Sequence, residues 1–372
     1  MEMEQQVNKL SILYEDNMKL LYLMHVDWNW IKQRPHFIAE KLVNRGVNVD
    51  IFFQKDYRRN VLSKNYKGLL NPHAIPRLPL ERIKIIELIN SLIKKLFYFI
   101  ILHINKYDYI YLTSPKLYNE EMANYNIIYD CMDDILAFPS NKIIEKILFE
   151  KERALIIKSK FTFFTSAYLK KTVLERYKLD EDSKKYLVNN NAVEIENLEI
   201  DKSYKFKINN KINFVYIGTI ASWFDFDLIR TLSKMNYVFH LFGPQEENID
   251  LPDNCVYHGV IPRSDIFSVM NEADILVMPF ILNELIKSVN PVKIYEYIYS
   301  GKPIVCIRYD ETEKFRDYVD LYESGDMESF INIVKNIEEN NFLQKRTLTE
   351  CQEYSLHNNW DKRVDDILSF IE

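Results

Sequence analysis

Two kinds of hydrophobic pattern alternate along this chain of 372 residues. Short, nearly continuous runs of Ile, Val, Leu, Tyr and Phe are separated by longer stretches in which apolar residues recur every three or four positions. The first kind marks strands buried on both faces, and the second marks helices laid over them. In the first half, strands are expected at 19–26, 47–53, 107–113, 126–132, 161–166 and 185–190, and helices at 33–45, 81–105, 140–158 and 167–177. Residues 191–210 are polar and lack a clean period, which places a domain boundary there. A second alternation follows, with strands at 212–218, 237–243, 255–261, 274–280 and 303–307. Strands alternating with helices predict parallel sheets covered by helices. The expected fold class is therefore α/β, with two doubly wound, Rossmann-like domains over 1–195 and 196–372. Ligands of such sheets bind at the carboxyl ends of the strands, and two facing domains add an interdomain cleft.

Composition narrows the function classes. The net charge of −6 argues against a nucleic-acid binder that works by broad phosphate neutralisation. Four cysteines, Cys131, Cys255, Cys306 and Cys351, lack metal-ligand spacing, and all but Cys351 sit in or beside apolar strand-like runs. That pattern fits buried free thiols in a reducing compartment. The opening "MEMEQQVNKL" is polar, without a signal-peptide pattern, and no apolar run is long enough to span a bilayer. A cytoplasmic location is expected.

The stretch "SVNPVKIYEYIYSGKP" (288–303) reads as a helix with a marked start and stop. Asn290 is a good N-cap, Pro291 suits the first helical position, and Ser300-Gly301 supplies the stop. Lys293 sits in the first turn, where the macrodipole disfavours a cation. Glu296 lies on the same face, about 4.5 Å further along the axis. A nucleoside diphosphate would explain the pair, with phosphate on the free N–H groups and Lys293, and a ribose diol on Glu296. A solvated Lys–Glu pair worth a few tenths of a kcal/mol, in the less favourable order, fits the same residues.

"NPVKIYEYIYSGKPIV" resembles the donor-binding segment of GT-B glycosyltransferases, whose C-terminal domain binds a nucleotide-sugar. The resemblance implies that Glu296 holds the donor ribose and Lys293 contacts the diphosphate. "YIGTIASWFDFDLI" (216–229) resembles the first strand–loop–helix of that domain, where Gly218 would let backbone approach the phosphates, beside Thr219. Asn290 completes the implied donor set. Many retaining members carry a second glutamate eight residues before the first, and that position here is Ser288, so the donor sugar and stereochemical class stay open. "NNWDKRVDDILSFIE" (358–372) resembles the closing helix that in GT-B proteins returns to pack on the first domain. The resemblance implies a UDP-sugar or similar donor and no cofactor or metal, since the helix dipole and basic side chains stabilise the leaving diphosphate.

In "HVDWNWIKQRPHFIAEKL" (25–42), His25, Asp27, Trp28, Trp30, Arg34 and His36 crowd a strand-to-helix loop at the ligand-facing edge. Trp stacks on sugar faces and Arg grips phosphate or carboxylate, so the cluster is a candidate acceptor site. Packing of the loop by the Trp pair, with His36 covering the helix, accounts for each residue separately. The run "WNWIKQRPH" resembles GT-B enzymes of cell-surface polysaccharides, including teichuronic-acid-type glycosyltransferases. In "NIIYDCMDDILAFP" (126–139), Asp130, Asp133 and Asp134 stand at a strand end. Mutual repulsion can raise one pKa into the range of a general base, as sugar transfer to a hydroxyl requires. Asp133 and Asp134 are the two candidates, and helix capping is the competing role.

Two further readings concern metal and membrane. "DFD" (225–227) matches a metal-binding spelling, but it opens a helix, where acidic residues cap. Residues 81–106 form a strongly apolar helix with net charge +3. It is either a buried helix with solvated lysines or a peripheral membrane contact. The expected function is transfer of a sugar to a glycan or lipid-linked glycan acceptor. The alternatives are a nucleotide-sugar epimerase or hydrolase on the same fold, and a non-catalytic nucleotide-sugar-binding scaffold.

Overall fold

The computed structural model describes residues 18–57, 70–80, 83–194, 204–246 and 249–372. The expected boundary at 195–196 lies outside the described residues. Two compact units are present. The first holds the described residues up to Thr165, with Lys170–Asn189 and Arg363–Glu372; the second holds Ser166–Leu169 and the described residues of Asn190–Lys362.

The first unit is built on a parallel sheet of seven strands: β1 (Lys19–Met24), β2 (Asn48–Phe53), β3 (His73–Ala74), β4 (Tyr109–Leu112), β5 (Ile127–Cys131), β6 (Phe161–Phe164) and β7 (Tyr186–Val188). Their order is β3-β2-β1-β4-β5-β6-β7, so the chain winds outward in both directions from the β1–β4 seam. β1 is central, with Leu21 opposite Ile110 on one side and Asp50 on the other. A strand covered on both faces needs apolar side chains at every position, and Leu20 to Met24 are all buried. Its helices are α1 (Arg34–Asn44), α2 (Lys84–Ile104), α3 (Lys142–Lys158) and α4 (Ala167–Tyr177), the last running across the division between the units.

The second unit repeats the plan with six parallel strands: β8 (Ile212–Ile217), β9 (Tyr237–Phe242), β10 (Cys255–Gly259), β11 (Ile275–Met278), β12 (Ile304–Ile307) and β13 (Asp320–Tyr322). The order β10-β9-β8-β11-β12-β13 is that of a dinucleotide-binding sheet, with its switch point between β8 and β11. Its helices are α5 (Phe226–Thr231), α6 (Ile266–Glu272), α7 (Glu284–Ser288), α8 (Val292–Ser300), α9 (Asp310–Glu313), α10 (Met327–Glu339) and α11 (Leu348–His357). The closing helix α12 is Trp360–Ile371. Its final turns belong to the first unit, where Phe370 packs edge-on against Phe161 and Phe163 and Asp365 pairs with Arg45 at 2.8 Å.

The eleven expected strands are present, each trimmed by up to three residues at its ends. β3 and β13, two and three residues long, carry too short a pattern to be read from sequence. Among the described residues no helix is long and apolar enough to cross a membrane.

Backbone geometry singles out Gly243, which follows β9. Its φ is +136°, and an added Cβ would drive into the backbone carbonyl of Gly218. Gly46, at φ +84°, has nothing within 4 Å of that position. Gly243→Ala should therefore destabilise the protein by at least ~2 kcal/mol, against ~1 kcal/mol for Gly46→Ala, in urea unfolding. Equal effects would show that φ alone matters at both sites.

Candidate functional site

In a parallel sheet each crossover helix starts at the carboxyl edge of the strands. α8 bridges β11 and β12, so its first turn stands at that edge, as does the short 3₁₀ turn Arg263–Asp265 that follows β10. Glu296 of α8 is 1% exposed. Its Oε2 accepts from Lys293 Nζ at 2.7 Å, and its Oε1 accepts from Arg263 Nη1 at 3.2 Å. Burial alone would push the carboxyl upward in pKa, but the two cations outweigh it and hold Glu296 below the usual carboxylate range. Both cations stay partly exposed, so one covered negative charge carries two positive charges toward solvent. The pair is therefore not a solvated face, and the residual charge of the triad suits an anion.

The start of α8 differs in detail from expectation. Pro291 occupies the N-cap and Val292 the first helical position, which puts Lys293 second. Asn290 is 1% exposed and caps nothing. Its Oδ1 accepts from the backbone N–H of Asn191 at 2.9 Å, and its Nδ2 donates to Glu311 Oε2 at 3.0 Å, so its amide is spent on the fold. The helix stops at Gly301, in the left-handed region at φ +68°. Tyr297 ties α8 to the first strand through its hydroxyl, which accepts from Ile217 N at 2.9 Å. Just beyond, Gly218 is required for an internal reason: a Cβ there would lie 2.5 Å from the Tyr216 hydroxyl, which donates to Thr219 O. The Thr219 side chain is exposed. Asp225 caps α5 by accepting from Leu228 N at 2.9 Å, and Asp227 pairs with Arg230.

In the first unit, the loop after β1 faces inward more than expected. Trp28, Arg34 and His36 are buried, and Asp27 nearly so. Arg34 grips Asp130 in a bidentate pair (Nε–Oδ2 and Nη2–Oδ1, both 2.9 Å) and donates to Asn189 Oδ1 at 2.8 Å. Asp130 is fully buried, so its charge demands that partner, and Arg34 has no free fork for an external phosphate. His36 Nδ1 accepts from Gln33 N at 3.1 Å, which leaves the proton on Nε2 to donate to Trp28 O at 3.2 Å. Burial pushes His36 down to about 4, so it stays neutral near pH 7 and acts as a capping group. Trp28 packs against its ring and offers no face for stacking. Asp27 accepts from the backbone of Asn29 and Asp56, stitching two loops together. His25 and Trp30 remain partly exposed. Burial, then the charge of Lys116, pushes His25 down to about 4.

The three carboxylates after β5 meet different fates. Asp130 is neutralised by Arg34. Asp134 is buried and held by both guanidinium nitrogens of Arg176, with Leu136 N donating to it at 3.1 Å. Asp133 is solvent-exposed at its edge yet crowded by protein atoms. That desolvation, then the charges of Asp130 and Asp134, lifts it to about 6. It alone of the three combines access with a raised pKa.

No family model matches the chain. One relative is TuaH of Bacillus subtilis (strain 168), which carries the name of a teichuronic acid biosynthesis glycosyltransferase. It is 28% identical over 221 residues, 54% of this chain and 55% of TuaH, so the match spans about half of each. Solved structures align over 95% of the chain. They include Anabaena Alr3699/HepE in complex with UDP and glucose (13% identity, 99% of that chain, TM-score 0.63). Sucrose-phosphate synthase from Thermosynechococcus elongatus aligns with 13% identity over 98% of that chain, at TM-score 0.67. The UDP-GlcNAc 2-epimerase from Neisseria meningitidis bound to UDP-GlcNAc aligns with 11% identity over 99% of that chain, at TM-score 0.55. The fold is GT-B.

Within this GT-B chain, sequence reading missed Arg263, Arg176 and Asn189. Each lies far along the chain from the carboxylate or guanidinium it serves. The one available signal was an excess of strand-end carboxylates needing partners. Asp130→Asn, which strips the charge that Arg34 needs, should cost ~3–5 kcal/mol in urea unfolding. Nucleotide affinity of the folded fraction should be unchanged; a loss of affinity at unchanged stability would return Arg34 to the ligand site.

Proposed function

We propose that the chain is a glycosyltransferase moving a sugar from a nucleoside-diphosphate donor, UDP-sugar first among them, to a hydroxyl of a glycan or lipid-linked glycan in surface polysaccharide biosynthesis. The observation that carries this reading is the buried Glu296 carboxylate holding Lys293 and Arg263 at the carboxyl edge of the second sheet. A diphosphate arriving there draws the two cations outward, and the ribose hydroxyls take their places on Glu296. The first turn of α8 adds its free N–H groups. The presence of UDP in HepE and the name of TuaH support the donor class and the kind of product.

The chemistry follows from these groups. The bond from the anomeric carbon to the diphosphate oxygen breaks, and its electrons go to the diphosphate, whose growing charge Lys293 and Arg263 meet. The acceptor oxygen bonds to the anomeric carbon and loses its proton to Asp133, the accessible carboxylate of the three. Gly218, Thr219 and Asn290 shape the donor site from behind. His25 and Trp30 are the exposed members of the acceptor cluster. Two cations and a helix terminus take the part that a metal plays elsewhere, so treatment with EDTA should leave activity unchanged; loss of activity restored by a divalent ion would refute metal independence.

Calorimetric titration of UDP, GDP, ADP and dTDP tests the donor site. One nucleotide should bind selectively, and Glu296→Ala, Lys293→Ala or Arg263→Ala should weaken it roughly ten- to hundredfold, as for loss of a charge-assisted contact of ~1.5–3 kcal/mol. A folded wild type that binds none of the four overturns the reading. Turnover should require ionised Asp133, so it should rise with pH through about 6 and be lost as pH falls below it. Asp133→Asn should abolish turnover while nucleotide still binds. Turnover indifferent to that change would favour a binding scaffold or another base, and sugar released or rearranged without any acceptor would identify a hydrolase or epimerase.

A further inference from the structure

Helix α2 is inside out for a surface helix in water. Ile85, Leu88, Leu92, Leu96 and Phe99 follow a three–four spacing and are each more than half exposed. That stripe is aliphatic and faces away from the core. The polar residues lie on the opposite side: Asn90 is buried, with its amide bonded to both backbone groups of Leu78, and Lys94 Nζ donates to Lys116 O at 2.7 Å. Water gives no reason for this arrangement, whereas the boundary of a bilayer does.

Two concavities flank the helix and share Pro76. One, about 370 Å³, is an apolar groove along α2, lined by Ile93, Leu96, Phe97, Ile100 and Ile104. The other, about 590 Å³, opens where β2, β3 and β4 end, the ligand-facing edge of the sheet. Arg77, Lys94, Lys116 and Lys151 line it against two carboxylates, Glu87 and Glu120. The side chains of Lys116 and Lys151 have no hydrogen-bond or ion-pair partner among the described residues, although burial already pushes the Lys151 ammonium down in pKa. In a chain of net charge −6, this recess gathers positive charge beside an apolar groove.

We infer that this recess binds the phosphate head of a membrane lipid, with the lipid chain along α2 and the exposed stripe of α2 resting in an anionic bilayer surface. The inference builds on the proposed sugar transfer by naming its acceptor as a lipid-linked phosphate. The head group would sit beside His25, whose ring feels the Lys116 charge. Charge complementarity selects a phosphate-bearing lipid over an apolar partner, because an apolar partner alone would leave Lys116 and Lys151 uncompensated.

Flotation of the full chain with vesicles tests this directly. The wild type should float with phosphatidylcholine–phosphatidylglycerol vesicles at least tenfold more than with phosphatidylcholine alone. The double change Leu92→Glu, Leu96→Glu, at exposed positions the fold tolerates, should abolish flotation with unchanged circular dichroism. Lys116→Ala with Lys151→Ala should erase the preference for phosphatidylglycerol and weaken binding of short-chain phosphatidic acid tenfold. No flotation of the wild type, or full flotation of the glutamate variant, overturns the inference. So does a wild-type dimer that the glutamate variant dissociates, which would mean that a second copy covers the stripe. Inorganic phosphate bound as tightly as short-chain phosphatidic acid would show a free-phosphate site and also overturn it. UDP titration of the same variants separates the two readings: unchanged UDP affinity with lost flotation supports both. A wild type that floats but binds no nucleotide sinks only the glycosyltransferase reading.

Discussion

A carboxylate taken almost wholly out of water must be met by positive charge, and in the second unit that requirement fixes the site. Glu296 is 1% exposed and would not stay ionised alone. Lys293 reaches it from one turn earlier on α8, and Arg263 reaches it from the turn after β10, so two separate crossovers are tied at one edge of the sheet. The tie leaves a surplus cation facing solvent. It also removes the apparent fault of a lysine in a first helical turn, because the unfavourable dipole is offset locally by a buried negative charge.

The first unit obeys the same rule with a different outcome. Three aspartates leave β5 together, and the fold supplies guanidinium groups to two of them, Arg34 for Asp130 and Arg176 for Asp134. These are internal pairs, and replacing either partner would leave a charge stranded. Asp133 receives none, and the neighbouring negative charge and surrounding protein raise its pKa to about 6. Reactivity here arises from what the fold leaves unpaired. The recess beside α2 follows similar logic with opposite sign, since Lys116 and Lys151 line a cavity without carboxylate partners.

The two sheets show how far local pattern reaches. Continuous apolar runs such as 212–218 can be satisfied only by burial on both faces, so strand positions and parallel pairing were legible. Helix α8 was legible through its stop at Gly301 and its Lys–Glu face, while its first residue moved by one because the Asn290 amide is drawn into contacts with Asn191 and Glu311. The loop after β1 shows the limit. Trp, Arg and His in a strand-to-helix turn look alike in sequence whether they meet a ligand or each other, and Trp28, Arg34 and His36 turned out to be internal.

Sequence alone determined the α/β class, the doubling of the pattern, the strand order's raw material and the charged face of α8. These depend on periodicity and on neighbours within a turn or two, which local chemistry specifies. Tertiary structure decided which charges are paired. Arg34 and Asp130 are separated by 96 residues, and Arg263 and Glu296 by 33, so no periodicity could join them. It also decided that the apolar stripe of α2 faces outward, because hydrophobic spacing gives a helix a face but does not say toward what.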